Sequence, residues 1–152
     1  MEKSKQLKIL AIDQASSCGW CCGDDLYGCW NLTTRRDESI GSKLLRFKAK
    51  LKEIINLEQI GLIVYERVAG QHATAIIHAS KMVAIIETLC EEIGIQYTAY
   101  SATEIKRFAT GKGNANKDAM VKAAQEKYGY DGTDDNIADA IHIYQLAKQN
   151  YL

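Results

Sequence analysis

Proline is absent from all 152 residues. Element boundaries must therefore rest on capping side chains and on glycine, not on a ring that breaks the backbone ladder. Long apolar runs are missing as well. None approaches the ~20 residues that span a bilayer, so no membrane partner is expected. The opening Met1-Glu2-Lys3-Ser4-Lys5-Gln6 is polar and lacks the apolar core of a signal peptide, which makes the cytoplasm the expected compartment. Neither charge is in surplus: 19 Lys and Arg balance 19 Asp and Glu. Composition alone thus does not mark a nucleic-acid binder. Repeats and low-complexity stretches are also lacking.

What is present is ordinary in bulk and uneven in placement. At 47% apolar and 25% charged, residues 1–152 fit one domain with a core large enough to fold alone. Lys43, Arg46, Lys48, Lys50 and Lys52 stand against the single acid Glu53, a cluster read as a solvated helix face. Lys106, Arg107, Lys112, Lys117, Lys122 and Lys127 form a second basic stretch. A neutral chain with a basic rim around an acidic pocket can still hold a polyanion locally. Four of the five cysteines crowd between Cys18 and Cys29. Cys18 and Cys21 have CxxC spacing, but no second CxxC or His pair follows at ligand distance. Small apolar residues in a reducing compartment is the better reading.

Hydrophobic periodicity divides the chain. Leu7 to Asp13 reads as a central strand, apolar on both faces. Cys18 to Cys22 and Tyr27 to Thr33 read as a hairpin around Gly23-Asp24-Asp25. Ile40, Leu44, Phe47, Leu51 and Ile55 recur at helical spacing, which predicts a helix over Glu38 to Ile55. Ile60 to Glu66 is a second buried strand, Ala73 to Ile93 a long helix, and Ile95 to Tyr100 a short strand. The apolar stripe of that long helix is wider than one sheet face needs, which points to a partner helix from a second subunit. Ser101 and Glu104 form a capping box for a helix to Ala109. Asn116 caps a helix over Lys117 to Tyr128, and Thr133 or Asp134 caps the last, to about Gln149. The sum is an α/β fold: a mixed five-stranded sheet, antiparallel hairpin plus parallel strands, with helices on both faces.

Acids stand at telling places in this frame. Asp13 closes the first strand and Glu66 the second, while Asp134, Asp135 and Asp139 lie on the last helix. A carboxylate closing an apolar strand is desolvated, and a cation is the usual compensation. Asp135 and Asp139 are four apart on a helix, so they can face one cation, with Asp134 as cap. Carboxylates gathered from distant segments read as a magnesium site, and basic loops beside them as phosphodiester chemistry.

Four blocks carry a narrower likeness. They are Leu10-Ala11-Ile12-Asp13-Gln14-Ala15-Ser16-Ser17-Cys18-Gly19-Trp20, Leu62-Ile63-Val64-Tyr65-Glu66, Gly111-Lys112-Gly113-Asn114-Ala115-Asn116-Lys117, and Asp135-Asn136-Ile137-Ala138-Asp139-Ala140. In this order they resemble the RuvC family of Holliday-junction resolvases, within the ribonuclease-H-like superfamily. The resemblance implies a homodimer acting on branched DNA. It implies two Mg²⁺ ions, or Mn²⁺ in their place, held by Asp13, Glu66, Asp135 and Asp139. One ion would activate water for in-line attack, the other would stabilise the leaving 3′ oxygen, giving 5′-phosphate and 3′-hydroxyl ends. Lys112 and Lys117 would hold phosphates, with Lys106 beside them, while Asn114 and Asn116 would reach sugar or base edges. Two departures stand out. Asn136 occupies a position where bacterial members carry an acid or His. Arg67-Val68-Ala69-Gly70-Gln71-His72 lacks the aromatic wedge of some members, leaving strand separation to Arg67, Gln71 or His72. Both fit a bacteriophage-encoded branch, hence a bacterial host's cytoplasm.

The remaining candidates carry less. His72 and His78 read as non-functional, His142 as a packing residue, and Trp20 and Trp30 as hairpin packing. A nuclease of the same fold cutting forks, flaps or RNA-containing duplexes is the nearest alternative. An actin-like ATPase needs a second domain and a second glycine-rich loop, for which the chain has no room. A non-catalytic binding module would not need Asp13, Glu66 and Asp139 together.

Overall fold

Burial on both sides explains why the first strand is a near-continuous apolar run. The structure, a computed structural model, describes residues 6–152; residues 1–5 of the polar opening segment lie outside the described residues. Strand β1 (Ile9–Asp13) alternates Ile9 and Ala11 towards one core with Leu10 and Ile12 towards the other. Strand β4 (Leu62–Glu66) does the same with Leu62 and Val64 against Ile63 and Tyr65. The remaining strands are β2 (Ser17–Gly23), β3 (Leu26–Asn31) and β5 (Gln96–Tyr100). They form the expected mixed sheet, in the order β3-β2-β1-β4-β5. The hairpin β2–β3 and the β1–β2 pair are antiparallel, whereas β1–β4 and β4–β5 are parallel.

Five helices cover the faces among the described residues: α1 (Ile40–Glu58), α2 (Ala73–Ile93), α3 (Ala102–Thr110), α4 (Lys117–Tyr128) and α5 (Asp135–Tyr151). Phe47, Leu51 and Ile55 of α1 and Met82, Ile86 and Leu89 of α2 fill one core. Ile105, Met120, Ala138 and Ile141 of α3, α4 and α5 fill the other. Each of the large aliphatic, Met and Phe side chains so buried contributes about 1.5–3 kcal/mol relative to exposure. Cys18 and Cys21 fall in opposite cores, so the sheet itself separates the two thiols of the CxxC. Trp20 and Trp30 stack at 5.9 Å across the hairpin.

Most boundaries follow the local signals. The capping box of Ser101 and Glu104 forms, and Asn116 and Asp134 cap α4 and α5. Helix α1 departs from the expectation of Glu38 to Ile55. It is capped by Ser39, runs to Glu58, and ends on Gln59 in the left-handed region at φ 55°. With neither proline nor glycine there, nothing stops it at Ile55. One further departure concerns α2. By length and composition it is the one described helix apolar enough to cross a membrane, yet Met82, Ile86, Leu89 and Cys90 build one side of it into the core.

Candidate active site

The register brings the two strand-end carboxylates side by side. Ile12 pairs with Tyr65 across parallel β1 and β4, so Asp13 and Glu66 follow as neighbours on strands roughly 4.8 Å apart. By alternation they point to the face that α5 covers. The carboxyl ends of parallel strands are where an open sheet leaves a crevice. Gln14 fixes the spacing. Its side-chain amide donates to the Glu66 carbonyl, and its Oε1 accepts from the Glu66 amide at 3.3 Å. Gln14 is buried, so this clamp ties the two strand ends away from water.

Helix α5 delivers the other acids. Its first turn is anchored by Asp134, whose Oδ1 accepts from the Asn136 and Ile137 amides at 2.8 and 3.1 Å. The buried Tyr130 hydroxyl accepts in turn from the Asp134 amide at 3.0 Å. Glycine at position 19 lets this turn reach the sheet. A Cβ there would stand 2.0 Å from the Asn136 carbonyl oxygen. Asn136 is thus a backbone contact with β2, and the acids flank it.

Electrostatics show that the acids share one environment. Asp13 is held well above its usual carboxylate range by burial and then by Asp139, Glu66, Asp135 and Asp134. Asp139 is pushed up to about 7 by burial, Glu66 and Asp135, against the pull of Lys106 and Lys117. Burial raises Glu66 as well, and Lys106 opposes it. Among the described residues no three His, Cys, Asp or Glu side chains stand close enough together to hold a metal ion. The donor set nevertheless suits one. It consists of carboxylates from three elements, the hard oxygen donors that Mg²⁺ and Mn²⁺ take. Burial first, and for Asp13 and Asp139 the neighbouring carboxylates next, disfavour the charged forms here, a cost that a bound cation would offset.

Around this centre the expected DNA contacts divide. Lys106, on α3, is close enough to act on both Glu66 and Asp139. Lys117 is exposed at the start of α4 with its ammonium 3.7 Å from Asp135. Arg67 and Gln71 are exposed just after β4, Gln71 lining the cleft beside Asp13 and Glu66. Lys112 and Asn114 are exposed on the α3–α4 loop. The Oδ1 of Asn116 is committed to its helix, accepting from the Ala119 amide at 2.8 Å. Its amide nitrogen, which makes no bond there, is the freer group for a ligand. Gly113 serves packing, since a Cβ there would meet Thr103 at 2.8 Å.

Three findings lie beyond what the sequence reading singled out. His78, set aside as non-functional, lines the same 320 Å³ cleft as Asp13 and Glu66, beside His72, a candidate for strand separation only. Lys43 is not on a solvated face: it is 7% exposed. Gln14 carries no motif signal beyond its place after Asp13. His142 is a packing residue as expected, its Nε2 lying 2.8 Å from the Met120 carbonyl between α4 and α5.

No family model matches the chain, and no curated protein matches its sequence. Solved structures do match. Thermus thermophilus RuvC in complex with a Holliday junction substrate superposes with a TM-score of 0.75 at 16% identity, covering 96% of this chain and 98% of that one. A second Thermus thermophilus RuvC structure gives 0.75 at 14% identity, over 95% and 98%. The yeast mitochondrial Holliday junction resolvase Ydc2 gives 0.58 at 15% identity, over 95% and 81%. The fold is the ribonuclease-H-like one that these proteins share.

Proposed function

We propose that the chain is a metal-dependent endonuclease that cuts branched DNA, Holliday junctions above all, by phosphodiester hydrolysis leaving 5′-phosphate and 3′-hydroxyl ends. One observation carries the reading: Asp13, Glu66, Asp135 and Asp139, from β1, β4 and α5, are electrostatically coupled in one partly buried site. The shared fold with junction resolvases supports it. These four would hold divalent ions, Mg²⁺ or Mn²⁺ in its place, which when bound supply an activated water and charge stabilisation at the leaving oxygen. The chain's own residues do the rest. Gln14 holds the Glu66 backbone against β1, so the two strand-end acids keep their spacing. Lys106 offsets the negative charge of Glu66 and Asp139 and bounds the space open to a phosphate. Lys117 exchanges its contact with Asp135 for the strand, with Lys112 and Asn114 beyond it. Arg67 and Gln71 meet the junction where an aromatic is absent. Two copies act together, because a two-fold junction needs two symmetric nicks.

The test is cleavage of an immobile four-way junction beside matched fork, flap and duplex, with Mg²⁺ present. Paired symmetric nicks on the junction are expected, and Asp13→Asn should abolish them while junction binding persists. Cleavage by Asp13→Asn at the full rate would overturn the site. Equal cutting of forks or RNA-containing duplexes would favour a nuclease of broader range, the reading that the missing aromatic after Glu66 supports.

A further inference from the structure

Three polar side chains are buried among the described residues: Gln14, Lys43 and His142. Two have evident work. Gln14 clamps the Glu66 backbone, and His142 is bonded to Met120 within the α4–α5 packing. Lys43 has none that the fold requires. Its ammonium carries three donors, and the one recorded partner is neutral, the Ser16 hydroxyl at 3.3 Å. The carboxylate whose charge reaches it, Glu38, is already held on both oxygens by Arg46 at 2.8 Å. No described carboxylate stands within ion-pair distance of Lys43. The residue also sits near the N-terminus of α1, the end of a helix that favours anions and disfavours cations. With its stem packed and its ammonium partly withdrawn from water, Lys43 lacks a counter-charge that an anion would supply. Burial accordingly pulls its pKa below the usual lysine value.

The hydroxyl that Lys43 meets faces the cleft. Ser16 lies three residues after Asp13 in the β1–β2 turn, and it lines the cleft together with Asp13, Glu66 and His78. His78, on α2, brings its Nε2 to 3.5 Å from the same hydroxyl. Burial, Lys43 and Lys81 all lower its pKa, so at neutral pH the ring is an N–H donor without charge. Three segments distant in the chain thus bring a hydroxyl, an imidazole and an uncompensated ammonium to one spot. A dianionic or monoanionic oxygen cluster is the ligand this set recognises. The carboxylates at one end of the cleft repel such a group, and the Ser16 and His78 side attracts it, with the Lys43 ammonium behind the Ser16 hydroxyl.

We infer that Ser16, Lys43 and His78 form a phosphate subsite, which takes a backbone phosphate of the bound strand one step away from the carboxylate centre. The inference rests on the nuclease reading for its ligand. It assigns the strand a path along the cleft between β1 and α2, with Lys43 as its desolvated anchor.

Junction binding tests this in an Asp13→Asn background, which binds without cutting. Affinity is measured from about 50 to 200 mM salt, the range over which phosphate contacts declare themselves. Adding Lys43→Met should weaken binding about tenfold, the weight of one charge-assisted contact. It should also make the plot of log affinity against log salt shallower by about 1. The melting temperature should hold or rise, because a buried charge without a counter-charge has been removed. An exposed lysine of the same helix, Lys50→Met, serves as the control and should leave both nearly unchanged. An unchanged slope, with a lowered melting temperature, makes Lys43 a structural residue and overturns the subsite. If Lys43→Met does not fold, Ser16→Ala decides: weakened binding at an unchanged slope supports the subsite, and unaltered affinity overturns it. A parent protein that binds no junction brings down the nuclease reading and the subsite with it. A parent that binds, with Lys43→Met tracking it, brings down the subsite alone.

Discussion

Asp139 takes much of the electrostatic cost of this site, and that cost is measurable. Its carboxyl is pushed up to about 7, first by burial and then by Glu66 and Asp135. The unfolded chain releases that proton near pH 3.9. Between those values the folded protein binds more protons than the unfolded one, so stability falls as pH rises. Asp13 and Glu66 shift in the same direction. Asp24, Glu38 and Glu104 shift the other way, and their stabilisation is lost only as pH falls below about 4. The metal-free protein is therefore expected to melt at a higher temperature near pH 5 than near pH 8. Between pH 5 and pH 8 the Asp139 part is at most about 3 kcal/mol, and Asp139→Asn should flatten the profile. Added Mg²⁺ should raise the melting temperature more at pH 8 than at pH 5, since cation and proton compete for the same oxygens. A flat profile for the unaltered protein would contradict the coupling among these acids.

Helices and strands were legible where their signals are local. Ser101 with Glu104, Asn116, and Asp134 cap their helices through side chains a few residues away, and that information lies in the sequence window itself. Asp13 and Glu66 could be placed at strand ends for the same reason. What escaped depends on elements crossing in space. No pattern near Gln14 shows that it grips Glu66, 52 residues on. Periodicity put Lys43 in a helix, but its burial comes from what packs there, the β1–β2 turn through Ser16. The clearest such case is Gly19, which reads as an unremarkable strand residue. Its missing Cβ admits the Asn136 carbonyl, and so sets the height of α5 over the sheet. Gly19→Ala must push α5 outward or bend β2. Overpacking of this kind costs about 1–3 kcal/mol, and the displacement carries Asp135 and Asp139 away from Asp13. A lower melting temperature by several degrees is expected, together with a loss of cleavage larger than that destabilisation explains. Alanine at position 19 with full activity would mean that α5 does not position the acids.

At the scale of the whole molecule, α2 leaves one face uncovered on which the proposed two-copy arrangement can be tested. One side of this helix is buried through Met82, Ile86, Leu89 and Cys90. The opposite side presents Ile77, Ser80, Lys81, Ala84 and Thr88 to solvent, Ile77 at 56% exposure. Small residues around one large apolar one permit close helix approach, and a second copy related by a two-fold axis would meet the same surface with the same surface. Such a dimer would present two carboxylate sites to a two-fold branched substrate, which gives the assembly a purpose that a monomer lacks. Ile77→Glu tests it with little risk to the helix, because glutamate is a good helix former and Lys81 lies four residues on. Losing one buried isoleucine per copy costs about 1.5–3 kcal/mol each. Sedimentation should therefore show dimer association weakened at least about tenfold. Nicks on a four-way junction should then become single and unpaired, while nicking of one strand at high protein concentration survives. If the variant sediments as the parent does and still makes paired nicks, α2 is not the contact. A dimer, if the parent sediments as one, would then form through another exposed apolar surface, such as Leu45 and Leu57 on α1.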